Sequence, residues 1–183
     1  MSRTVLVPLA EGFEEIEAVT IVDVLRRAGV GVTTAALGKA REVKGAHGVV
    51  VTADATLKDA IAKRYDAVVL PGGMPGASNL RDDVRVREAL CAVVEQGGTA
   101  AAICAAPIAL EAAGLLKGRR ATAYPGFREE LKSASARVAD RVVVDGPIVT
   151  SAGPGTALEF ALTLTERLAG REVAANVRSG MLA

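Results

Sequence analysis

The chain has 183 residues, 22 basic against 21 acidic side chains, a formal charge of +1 and only 3% aromatic residues. That length suits one domain with a substantial core, and the near-neutral charge and scarce aromatics offer neither a basic stripe nor a stacking platform for nucleic acid. Two cysteines, Cys91 and Cys104, build no disulfide framework, and the apolar run Thr4-Val5-Leu6-Val7-Pro8 starts too early for a signal peptide, so a cytoplasmic protein is expected.

Apolar runs of strand length alternate with helical patterns along the chain. A strand over residues 4–8 leads to a helix from 14 to about 28 and a strand over 31–37. Residues 42–45 and 49–52 flank a turn carrying His47 and predict a small hairpin projecting from the main sheet. A strand at 67–70, a helix at 84–95, a strand at 99–103 and a helix from Ala105 follow. A second hairpin pairs 141–144 with 148–151 about Asp145-Gly146-Pro147; a helix over 154–169 stops at Gly170, and a shorter one covers 172–177. Residues 99–116 are apolar enough to suggest a membrane span, but Pro107, Glu111 and Gly114 interrupt them, so none is expected.

This rhythm predicts a single-domain three-layer α/β/α sandwich with a mostly parallel sheet, flavodoxin-like or Rossmann-like. In such sheets sites form beyond the carboxyl ends of the strands. Cys104 stands there, where Thr99-Ala100-Ala101-Ala102-Ile103 ends and a helix begins, with Pro107 marking the first turn. Amide N–H groups at that helix start favour thiolate and make Cys104 the candidate nucleophile, against the plainer reading of a small buried hydrophobe. Cys91, inside the apolar pattern of its helix, reads as packing.

Three further loops belong to the same edge. In the first, Glu14 and Glu15 read as solvated residues complementing a helix dipole, whereas Glu17, with Thr20, Ile21 and Val24 following at helical spacing, stands beside an apolar face. Desolvation there raises its pKa and makes it the acid/base candidate. The Pro71-Gly72-Gly73 turn brings backbone N–H groups close to a ligand, and with the N–H of Ala105 it suggests an oxyanion hole. The loop Ser151-Ala152-Gly153-Pro154-Gly155-Thr156 lacks a lysine and the G-x-G-x-x-G spacing and reads as structural. His47, the only histidine, reads as an exposed turn residue, and one histidine with two separated cysteines supplies no metal ligand set.

Four motifs together resemble the ThiJ/PfpI superfamily, in the branch of the human parkinsonism-associated deglycase and bacterial YajL. They are Glu14-Glu15-Ile16-Glu17-Ala18-Val19, Asp66-Ala67-Val68-Val69-Leu70-Pro71-Gly72-Gly73, Ala101-Ala102-Ile103-Cys104-Ala105-Ala106-Pro107 and Thr150-Ser151-Ala152-Gly153-Pro154-Gly155-Thr156. They run in family order, and with the tail Gly170-Arg171-Glu172-Val173-Ala174 the resemblance spans essentially the whole chain. It implies a homodimer of the flavodoxin-like, class I glutamine amidotransferase-like fold. Cys104 would then be the nucleophilic elbow cysteine, Glu17 the protonated glutamate at its sulfur, and Gly72, Gly73 and Ala105 the backbone donors. Tyr124, before Pro125, occupies the place of a histidine in the parkinsonism-associated member. Arg27 matches one of two arginines that reach the site across the dimer interface, and His47 takes the place of the other.

The activities the resemblance implies are cofactor-free conversion of methylglyoxal or glyoxal to the hydroxy acid and removal of early dicarbonyl adducts from proteins or nucleotides, in carbonyl and oxidative stress defence. No cofactor or metal is expected. A non-catalytic redox sensor or chaperone with an oxidisable Cys104 uses the same two residues, so this alternative stays open. A PfpI-type peptidase is disfavoured because Cys104 is followed by Ala105 rather than histidine. A phosphate-binding module is disfavoured because the glycine loops carry no Lys or Arg.

Overall fold

The computed structural model describes residues 3–183. In chain order the elements are β1 (Thr4–Leu9), α1 (Glu15–Arg27), β2 (Gly31–Ala36), β3 (Glu42–Lys44), β4 (Val50–Thr52), β5 (Ala55–Thr56), α2 (Leu57–Ala60), β6 (Ala67–Leu70), α3 (Gly76–Asp82) and α4 (Val84–Glu95). Then come β7 (Thr99–Ile103), α5 (Pro107–Ala112), β8 (Arg120–Ala121), β9 (Ala136–Arg137), β10 (Val142–Asp145), β11 (Ile148–Ser151), α6 (Ala157–Ala169) and α7 (Arg171–Gly180).

The main sheet has seven strands in the order β10-β11-β7-β6-β1-β2-β5, and only β10 runs antiparallel to its neighbour. Strands buried on both faces read as continuous apolar runs, as β6 and β7 do. The alternation within them divides the core. Leu6, Val68, Leu70, Ala100 and Ala102 pack with Leu80, Leu90 and Leu110 on one face, while Val5, Val7, Val69, Ala101 and Ile103 pack with Ile21, Leu25, Phe160 and Leu164 on the other. The expected three-layer sandwich is therefore present, with α3, α4 and α5 on one side and α1 and α6 on the other. No helix among the described residues is long and apolar enough to cross a membrane.

Differences from expectation lie at the short elements. The helix expected from Ala105 begins at Pro107 and runs six residues, because Cys104, Ala105 and Ala106 form a turn. The long helix after Pro154 opens with a 3-10 turn over Pro154–Thr156. Sequence reading passed over α3, a seven-residue helix directly after the Pro71-Gly72-Gly73 turn, since Pro75 and Gly76 read as a continuation of the loop. The hairpin β3–β4 pairs as expected, but it does not project. Its residues fold back on the loop between β1 and α1, with the Gly12 N–H donating to the Lys44 carbonyl (2.8 Å) and the Ala46 N–H to the Phe13 carbonyl (2.8 Å).

Candidate active site

The parallel strands β1, β6, β7 and β11 end at one edge, with Leu70 in register with Ala102 and Ile103 with Ser151. Cys104 is the first residue beyond β7 and has φ +63°, a left-handed conformation that a residue with a Cβ rarely adopts. Surrounding hydrogen bonds hold it there: its N–H donates to the Ser151 carbonyl (2.9 Å) and its carbonyl accepts from the Tyr124 N–H (2.8 Å). Anchored at both ends, the elbow turns the thiol out of the strand direction toward α1 and the glycine turn.

Glu17 meets it from the first turn of α1. The side chain has no solvent exposure, as expected for a position beside Ile21 and Val24. Its Oε2 accepts the Gly72 N–H at 2.7 Å, while Oε1 has no ordinary hydrogen-bond partner among the described residues. Burial pushes the carboxyl up to about 7, opposed by the Gly72 N–H and the Cys104 side chain and assisted by the charge of Glu14. At such a value both the protonated and the ionised carboxyl are populated near neutrality, so Glu17 can give or take a proton there.

The thiol departs from the sequence expectation. Burial pushes Cys104 up to about 12, the charge of Glu17 and a hydrogen bond with it add to the rise, and the N–H groups of Gly73 and Ala105 pull it down. The expected helix-dipole activation is outweighed, because α5 starts three residues later and is short. Two of the causes of the rise depend on ionised Glu17. A proton on Glu17 removes them and gives the thiolate a donor, so the pair carries one negative charge at a time.

Gly72 also corrects the sequence reading. Its N–H is committed to Glu17, so it positions the acid instead of serving an oxyanion. A Cβ at Gly72 would lie 2.7 Å from the Cys104 Cβ and 2.8 Å from Glu17 Oε2, so only glycine lets the turn, the thiol and the carboxyl meet. Gly73, at φ +86°, has its N–H turned to the sulfur together with that of Ala105.

Tyr124 belongs to this neighbourhood, half-exposed, with its ring close against Gly153. The loop after β11 satisfies itself: Thr156 Oγ1 lies 2.6 Å from Ser151 Oγ and accepts the Gly153 N–H (3.1 Å). Arg27 is paired with Asp23 (2.8 Å) at the far end of α1, ten residues or about 15 Å of helix from Glu17. Within one chain it is not brought to the thiol. Cys91, half-buried on α4, directs its sulfur to the Ala113 carbonyl at 3.6 Å.

The reading of Glu14 and Glu15 as solvated is overturned, since both are buried. Glu15 Oε1 accepts the N–H groups of His47 (2.8 Å) and Val49 (3.3 Å), and its Oε2 lies 2.9 Å from His47 Nδ1. Burial pushes Glu15 up, but the His47 ring and these N–H groups outweigh it and hold the carboxyl below its usual range. The His47 side chain is 71% exposed, as a turn residue should be, yet its ring is docked on Glu15. That bond, followed by the charges of Glu14 and Glu15, raises its pKa. Sequence reasoning missed this because the contacts span about thirty residues.

The DJ-1/PfpI family model matches residues 3–167. The chain belongs to this family. It is 44% identical over 183 residues to Protein DJ-1 homolog A of Arabidopsis thaliana, covering 99% of this chain but 47% of that protein. The chain thus spans about half the length of its plant relatives. Protein dj-1beta of Drosophila melanogaster is 42% identical, with 100% of this chain and 98% of that protein covered. Its crystal structure superposes with a TM-score of 0.97 at 41% identity, over 100% of this chain and 99% of the other. A Caenorhabditis elegans relative named glutathione-independent glyoxalase DJR-1.2 is 39% identical over 93% of this chain and 90% of its own.

Proposed function

We propose that this member of the family is a cofactor-independent, cysteine-dependent glyoxalase acting on methylglyoxal, glyoxal or their early adducts on proteins and nucleotides. The observation that carries the reading is the meeting of three groups at one sheet edge: Cys104 on an elbow, the N–H groups of Gly73 and Ala105 beside its sulfur, and buried Glu17 held by Gly72. The glyoxalase name of the nematode relative supports it.

In the proposed reaction the Cys104 sulfur attacks the aldehyde carbon and forms a hemithioacetal, while Glu17 takes up the thiol proton. The developing oxyanion faces the N–H groups of Gly73 and Ala105 until Glu17 returns the thiol proton to it, which leaves Glu17 ionised again. Glu17 then removes the proton on the former aldehyde carbon, giving an enediol, and returns a proton to the neighbouring carbon. The product of this internal transfer is a thioester, and water hydrolyses it to the 2-hydroxy acid and free thiol. The sum is addition of one water to the 2-oxoaldehyde, with no external oxidant or reductant.

The resemblance also leads us to propose a homodimer. Ile16 and Val19 on α1, with Val49 and Val50 on the hairpin, each expose more than half of their surface and form the apolar side chains such a contact needs. Both cysteines are free, as a cytoplasmic location would keep them.

The test is lactate formation from methylglyoxal without glutathione. Wild type should turn over, Cys104→Ser should fall to background, and Glu17→Gln should lose about 10²- to 10⁴-fold in kcat. A folded, reduced wild type that forms no lactate overturns the proposal.

A further inference from the structure

The edge of the sheet where the parallel strands begin, opposite the one that carries Cys104, holds a cavity of about 470 Å³. Its walls are the starts of β1 and β7, the loop before β6, and the ends of α4 and α6. Strand β7 runs from Thr99 in this wall to Ile103 beside the thiol, which puts the two places about 16 Å apart along the sheet. None of the residues in this wall belongs to the apolar face assigned to the dimer contact.

Three arginines line the cavity, Arg3, Arg64 and Arg167, against one acidic side chain, Asp66. Asp66 is ionised, since the Thr4 N–H and Arg3 hold its carboxyl below the usual range. The lining thus carries a positive surplus larger than the +1 of the whole chain. That surplus escapes a reading of composition because the three arginines are far apart in the chain and acids elsewhere cancel them in the total.

Pairing inside the cavity is incomplete. Asp66 spends its oxygens on Arg3 (2.6 Å) and on the N–H and hydroxyl of Thr4 (2.8 and 3.2 Å). Among the described residues no carboxylate pairs with Arg64 or Arg167. Arg167 is nevertheless held in place: its Nε–H donates to Oγ1 of buried Thr99 at 2.7 Å. This bond fixes the plane of the guanidinium and leaves both Nη groups to grip an oxyanion as a fork. The carbonyls at the end of α6 offset part of the Arg167 charge, whereas Arg64 lies in a loop and complements no helix.

A second hollow of about 220 Å³ adjoins the first and shares Arg64, Tyr65 and Gln96 with it. Apolar side chains, among them Leu6, Val68 and Val93, form much of its wall. A ligand filling both hollows has an anionic head and an apolar body. The surplus charge matches a phosphate monoester, which carries about −1.5 to −2 at pH 7, better than a carboxylate with its single charge.

We propose that this edge of the sheet binds a phosphate monoester with a flat apolar body, of the nucleoside monophosphate class. Arg64, Arg167 and Arg3 hold the phosphate, and the body lies in the hollow beside Tyr65. The site is separate from the thiol of Cys104 and does not depend on the proposed glyoxalase activity.

Calorimetric titration of the full chain with adenosine monophosphate tests the proposal, with adenosine and inorganic phosphate as controls. Wild type should take up one molecule per chain, about 10-fold or more tightly than either control. Arg64→Ala and Arg167→Ala should each weaken binding about 10-fold or more, the loss expected when a charge-assisted hydrogen bond is removed. Cys104→Ser should bind like wild type. Because Arg64 is exposed and makes no bond within the described chain, Arg64→Ala should melt like wild type without ligand, which separates lost binding from lost folding. The proposal is overturned if adenosine monophosphate does not bind, if either control binds as tightly, if either arginine variant binds as well as wild type, or if binding disappears with Cys104→Ser.

Discussion

Replacing Gly72 with alanine probes the meeting point of the site with a single methyl group. Gly72 is not among the residues with positive φ, so alanine adds no backbone strain and the perturbation is purely steric. The new Cβ would meet the Cys104 Cβ at 2.7 Å, Glu17 Oε2 at 2.8 Å and the Ile103 carbonyl at 2.9 Å, each short of an ordinary contact by roughly half an ångström or more. None of the three can yield freely. Ile103 is in the central strand β7, Cys104 is hydrogen-bonded at both its N–H and its carbonyl, and Glu17 is enclosed. Overpacking of this kind costs about 1–3 kcal/mol. At about 2–4 °C per kcal/mol for a chain of this size, Gly72→Ala should lower the Tm by roughly 2–12 °C. A shift of the thiol by about 1 Å relative to its partners should reduce lactate formation by about 10²-fold. Alkylation of Cys104 by iodoacetamide, followed by mass spectrometry, reads the same displacement without relying on the proposed activity. Unchanged melting together with an unchanged alkylation rate would refute the reasoning, because the turn would then be free to move away.

Other expectations address the ends of the sheet and the apolar face. Asp66 accepts from the Thr4 N–H (2.8 Å), the Thr4 hydroxyl (3.2 Å) and Arg3 (2.6 Å); these bonds, the Thr4 N–H foremost, hold its carboxyl below the usual range. A depressed pKa stabilises the fold above the unfolded value of about 3.9 and ceases to do so as pH falls through the folded value. The urea stability gap between wild type and Asp66→Asn should therefore be full at pH 7 and shrink from about pH 4 downward; a gap independent of pH would contradict the assignment. On the exposed face, Val50→Asp should convert a dimer to a monomer in sedimentation, since an unpaired carboxylate in an apolar contact is strongly disfavoured. A variant that sediments like wild type would remove this face from the interface.

Much of the site was legible because its signals are local. A run of small apolar residues ending in Cys104 and followed by Pro107 states a strand, an elbow and a helix start within nine residues of sequence. The spacing of Glu17 with Ile21 and Val24 placed its carboxyl against the core, because three- and four-residue steps share one face of a helix wherever that helix packs. The parallel sheet followed from runs too apolar to tolerate a solvated face.

What the sequence did not show depends on groups that meet only after folding. The Gly72 N–H was free to serve an oxyanion until α1 brought Glu17 within 2.7 Å of it. The thiol looked activated by its own helix, but its proton affinity is set by burial and by a carboxyl from another element. Glu14 and Glu15 looked solvated because helix-end reasoning considers one helix, whereas the β3–β4 hairpin closes over them and supplies His47. Hydrophobic periodicity is a property of neighbouring residues, so the sequence alone determined the elements and their buried faces. Burial of charge and sharing of protons depend on distances between chain-distant groups, and those the tertiary structure decided.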